Sequence, residues 1–67
     1  MITVLVNDVP RPAERDETVA ELLAVLEVPR RGVAVAVNGE VVRRADWPAH
    51  RLTDGDRVEV LTAAQGG

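Results

Sequence analysis

The chain closes on Gln65-Gly66-Gly67, and the chemistry open to these residues is the easiest to name. A terminal carboxylate is a poor acyl donor at neutral pH until one of its oxygens becomes a leaving group. Adenylation by ATP supplies that leaving group, and it takes place in the nucleotide site of another protein. A terminus that enters such a site must be thin and must extend away from its own fold. Glycine carries no side chain and tolerates any backbone geometry, so Gly66 and Gly67, preceded by the small Ala63 and Ala64, suit threading. From Thr62 to Gly67 the chain reaches at most about 20 Å, at ~3.3–3.6 Å per residue. Gly67 is therefore the candidate for modification, Gly66 and Gln65 the threading residues, and Ala64 a candidate partner contact. The opposing reading is an inert end that happens to carry two glycines.

Other reactive side chains are few. His50 is the only histidine and cysteine is absent. A lone imidazole is not a metal site, and no thiol or disulfide chemistry is available in cis. Asp54 and Asp56 flank Gly55, but two carboxylates without further ligand spacing fall short of a calcium loop and read as turn residues. No metal ligand set and no catalytic residue is assigned. Trp47, the single aromatic residue, either caps a small core or anchors a partner, since Trp is enriched at interface hot spots. Arg30-Arg31 and Arg43-Arg44 are solvated pairs that could meet an acidic patch on a partner.

Sixty-seven residues allow one domain, 1–67, of modest stability. A deep catalytic pocket would consume core that so small a chain needs, which points to a protein acted on by enzymes and not to an enzyme. The net charge of −3 argues against nucleic-acid binding, where a basic face is expected. All eight cationic residues are arginine. That is either a coding bias or a chain kept free of lysine amines that could attack an activated terminus. No apolar run approaches the ~20 residues of a membrane span, and the N-terminus lacks a signal-sequence pattern. A cytoplasmic protein, monomeric when free and holding no cofactor of its own, is expected.

Patterning along the chain gives the elements behind that end. Met1–Val6 is an aliphatic strand, Asn7-Asp8 a turn, and the stretch holding Pro10 and Pro12 an edge strand at best, because proline cannot donate to a ladder. Thr18-Val19-Ala20-Glu21 fits a capping box. Val19, Leu22, Leu23 and Leu26 then form one apolar stripe on a helix of about ten residues, which Pro29 ends. Val33–Val37 alternates Val and Ala, Asn38-Gly39 is a hairpin turn, and 40–43 returns as a strand. Residues 44–56 form a loop anchored by Leu52, 57–61 is the last strand, and 62–67 a flexible tail behind the globular 1–61. The order β-β-α-β-β-β, with the last strand returning to the middle, predicts an α+β domain with a mixed sheet on one helix.

That order, together with the Gly-Gly end, resembles the ubiquitin-like β-grasp proteins. More closely, the chain is similar to the ThiS family, the small sulfur carriers of thiamine biosynthesis. The resemblance rests on the opening strand into Asn7, Thr18-Val19-Ala20-Glu21-Leu22-Leu23, Val37-Asn38-Gly39-Glu40, Trp47, Leu52, Asp54-Gly55-Asp56, Val58-Glu59-Val60 and Gln65-Gly66-Gly67. It implies a Gly67 carboxylate that is adenylated by a ubiquitin-activating-enzyme-like adenylyltransferase using ATP. A sulfur source then displaces AMP, and the resulting thiocarboxylate passes its sulfur to thiazole synthase. The small subunit of molybdopterin synthase shares the fold and the diglycine, although this chain's shortness and single Trp favour the thiamine branch. A ubiquitin-like protein modifier and an inert interaction module are the remaining alternatives.

Overall fold

The computed structural model describes residues 1–29 and 31–63. Strands β1 (Ile2–Val6), β2 (Val9–Ala13), β3 (Val33–Val37), β4 (Glu40–Val42) and β5 (Arg57–Thr62) form one sheet, ordered β2-β1-β5-β3-β4. The last strand sits in the middle, as the element order predicts. It pairs parallel with β1 and antiparallel with β3, while both hairpins are antiparallel, so the sheet is mixed. Prolines 10 and 12 lie on the edge strand β2, where a missing N–H can face solvent.

Alternation in the strands builds the core. Val4 and Val6 of β1, Val35 and Val37 of β3, Val42 of β4, and Val58 and Val60 of β5 are buried on one face of the sheet. Helix α1 (Val19–Val25) covers that face with Val19, Leu22 and Leu23, and Leu52 and Trp47 complete the cluster. Leu26, the fourth residue of the predicted stripe, is partly buried against it.

The first turn of α1 leaves no amide idle. Val19 N donates to His50 O at 2.9 Å and Ala20 N to Trp47 O at 3.2 Å. Glu21 N donates to Thr18 Oγ1, and Thr18 N returns to Glu21 Oε1, which closes the capping box. Helix-end amides that would otherwise be unpaired are thus satisfied by the cap and by the 44–56 loop. That loop is not irregular throughout, because Arg44–Asp46 forms a 3-10 turn.

Four boundaries differ from the sequence reading: β1 starts at Ile2 and β4 ends at Val42, each one residue shorter than expected, and the helix and the last strand differ as follows. The helix is seven residues long and stops before Pro29 can act. Val28 N donates to Leu23 O and Glu27 N to Ala24 O, with Glu27 at φ 57. This is a Schellman end, a stop normally given to glycine, so the signal was hidden in a non-glycine residue. The last strand runs one residue further, through Thr62, because Thr62 pairs with Val33.

Candidate functional site

Gly67, Gly66, Gln65 and Ala64, the residues assigned to modification, threading and partner contact, lie outside the described residues. The structure describes the platform that delivers the chain to Ala63.

Strand β5 is gripped on both sides. Five residue pairs, from Val33↔Thr62 to Val37↔Val58, join it to β3, and two join it to β1. Beyond the last β1 pair the ladder is continued by a side chain. Asn7 Oδ1 accepts from Val60 N at 2.8 Å, and Asn7 Nδ2 donates to Val60 O at 3.1 Å. At the other end Asn38 Oδ1 accepts from Arg57 N at 2.9 Å. Both asparagines are in the left-handed region, at φ 49 and φ 52, a conformation that Asn tolerates better than most residues. Each therefore turns a hairpin and holds the central strand at once.

The exit itself is narrow. Ala63 N donates to Gly32 O, which extends the β5–β3 ladder past the end of β3. Gly32 has φ +67, and a Cβ placed there would stand 3.0 Å from Ala63 Cβ. A side chain at this position would need an unfavourable backbone and would push the base of the tail aside. Nothing in a single glycine of the sequence reveals a neighbour so far along the chain.

The sheet face opposite α1 carries Leu61 and Val41, 66% and 77% exposed. Leu61 is opposite Ala34, and Ala36 is opposite Val41, so a short apolar strip runs across β5, β3 and β4 beside the exit. Alternation alone did not single it out, because β4 is too short to show a period.

Trp47 caps the core, one of the two readings its sequence position allowed. It is 7% exposed, and its indole Nε1 donates to Val42 O at 3.0 Å. The Arg44 guanidinium lies 5.9 Å from the ring centroid, within cation–π range. The acidic pair behaves as turn chemistry. Asp54 Oδ1 accepts from Thr3 N at 2.9 Å, and Asp56 accepts from Thr53 N, Thr53 Oγ1 and Asn38 Nδ2. Burial would raise the Asp56 pKa, but these hydrogen bonds and the charge of His50 favour the anion and bring it below its ordinary value. Among the described residues no group of three His, Cys, Asp or Glu side chains is arranged to hold a metal, and no helix is long and apolar enough to cross a membrane.

A central last strand in a five-stranded mixed sheet, wrapped on one helix and followed by a small-residue end, defines a ubiquitin-like β-grasp domain. Comparison with solved structures agrees. The crystal structure of the thiamine biosynthesis protein ThiS from Geobacter metallireducens superposes with a TM-score of 0.82 at 36% identity, covering 91% of this chain and 93% of that one. A solution structure of a thiamine biosynthesis protein from the same organism gives a TM-score of 0.73 at 38% identity, over 90% and 81% of the two chains. The sequence profile of the ThiS family matches residues 4–67. The chain is 34% identical to the sulfur carrier protein ThiS of Escherichia coli, over 96% of this chain and 97% of that protein. It is 42% identical to the sulfur carrier protein ThiS of Thermus thermophilus, over 96% and 98%. The chain belongs to the ThiS family.

Proposed function

We propose that this protein is the sulfur carrier of thiamine biosynthesis, a protein cosubstrate and not a catalyst, working in the cytoplasm. The observation that carries the reading is a family match extending through Gly66-Gly67, on a fold whose central strand leads toward that end. An adenylyltransferase resembling ubiquitin-activating enzymes transfers AMP from ATP to the Gly67 carboxylate and releases pyrophosphate. Sulfur delivered at the sulfide level by a donor then attacks the acyl carbon, the bond from that carbon to the AMP oxygen breaks and AMP leaves, which gives a thiocarboxylate. Its sulfur is nucleophilic at neutral pH and is handed to thiazole synthase for the thiazole ring.

The fold supports this division of labour. Residues up to Ala63 are tied into the sheet, so a partner can draw in residues 64–67 without unfolding the domain. The apolar strip of Leu61, Ala34, Ala36 and Val41 adjoins the exit. It gives the partner enzymes a face to hold while the end is in their site.

Intact-mass analysis after incubation with ATP, the activating enzyme and a sulfur source tests the reading. A gain equal to the difference between sulfur and oxygen is expected. A ladder of conjugates would indicate a protein modifier, and an unchanged mass an inert module. Deleting Gly67, or extending it by one residue, is expected to abolish the gain while the fold persists. Sulfur transfer by either variant would refute the proposal.

A further inference from the structure

A groove on the helix side of the domain is left unused by the chemistry of the tail. Ala20, Leu23 and Ala24 of α1 form one wall, Val28 and Pro29 form an end, and Trp47 forms the floor. Its volume is about 280 Å³. The floor is rigid, since Trp47 is fixed through its indole to Val42 O and through its own carbonyl to Ala20 N. Among the described residues Arg44 is the one ionisable side chain of the lining, and its guanidinium rides over the indole ring.

We propose that this groove is a docking site for a segment of a partner protein that combines an aliphatic side chain with an adjacent carboxylate. The side chain packs against Leu23, Val28 and Trp47, and the carboxylate pairs with Arg44. Charge selects this occupant. The chain as a whole carries −3 and repels acidic partners, yet exposed Arg43 adjoins Arg44, and exposed Arg31 follows Pro29 of the lining by two residues. Glu27 and Asp46 are neighbours in sequence but do not line the groove. A guanidinium within cation–π range of an indole is a better receptor for a planar carboxylate than an ammonium would be.

Position favours a protein segment over a small molecule. Pro29, at the end of the groove, is three residues before Gly32, whose carbonyl holds Ala63. A partner that grips the end of the chain therefore lies within reach of the groove. The choice of a protein segment rests on the proposed reading of the chain's end, whereas the apolar lining and the Arg44 charge of the groove stand apart from it.

Trp47 is the sole aromatic residue, so intrinsic fluorescence reports this site without interference. The full chain is titrated with a blocked pentapeptide carrying leucine between two glutamates, and with the same peptide carrying lysines instead. The acidic peptide is expected to shift the Trp47 emission and the amide signals of Ala20 and Ala24. Its affinity should exceed that of the lysine peptide by about tenfold or more, the scale of one charge-assisted contact. Arg44→Glu should lose that preference and Arg44→Lys keep part of it. Ala24→Leu, at an exposed helix position, should fill the groove and abolish binding with the circular dichroism unchanged. Equal response to both peptides, or no response to either at millimolar concentration, would overturn the proposal. So would a shift in Trp47 emission on removing 64–67 alone, which would assign the groove to the chain's own end.

Discussion

The side-chain amide of Asn7 makes both of its hydrogen bonds to one residue, accepting from Val60 N at 2.8 Å and donating to Val60 O at 3.1 Å. A side chain thus stands in for a peptide unit and carries the parallel β1–β5 ladder past the point where β1 has turned away. The consequence is mechanical, because β5 is the strand that leads to the end of the chain. Asn7→Ala removes both bonds, leaves Val60 to find new partners, and puts Ala at φ 49. We expect a loss of about 1–3 kcal/mol, read from chemical denaturation. Asn7→Asp keeps the acceptor but not the donor and should fall in between.

Asp56 makes stability depend on pH in a defined direction. Its folded pKa lies below the ordinary 3.8, so the folded state favours the anion more than the unfolded chain does. The contribution is complete above the unfolded value and is lost as pH falls through the folded one. Thermal unfolding should therefore shift downward below about pH 4, near the ordinary aspartate value. Asp56→Asn should be less stable at neutral pH, and its deficit should shrink across the acid range. A deficit that stays constant there would exclude this role for the carboxylate.

Glu27 carries the left-handed residue of the Schellman end, a conformation that costs an ordinary L-residue about 1–2 kcal/mol. Glycine relieves that cost but gains freedom in the unfolded chain. Glu27→Gly is expected to raise stability by a net of about 0.5–1 kcal/mol, visible as a higher denaturation midpoint with an unchanged m-value.

Gly32 is the converse case. Gly32→Ala places a methyl 3.0 Å from Ala63 Cβ at φ +67. A destabilisation of about 1–2 kcal/mol is expected, together with perturbed amide signals at Thr62 and Ala63. Signals confined to 31–33 would show that the exit does not feel this residue.

Leu22 tests the core apart from the tail. It is 1% exposed, and Leu22→Ala should cost about 2–5 kcal/mol through the cavity it leaves. Conversion of Gly67 under native conditions should be unaffected, as measured by intact mass.

The element order, the capping box at Thr18 and Glu21, the Asn38-Gly39 turn and the central place of the last strand were legible from residue types and spacing alone. These are local or periodic signals, fixed by hydrogen bonding and burial within a few residues, and a chain this short has few topologies that bury one helix face. The diglycine end and the family resemblance were equally readable. Only the tertiary structure decided the rest. Asn7 meets Val60 across 53 positions, Gly32 meets Ala63 across the sheet, and Trp47 is buried in the core while lining a groove. Such pairings depend on which strands lie side by side and in what register. No local propensity encodes that, because the energy is gained only when the whole sheet closes on the helix.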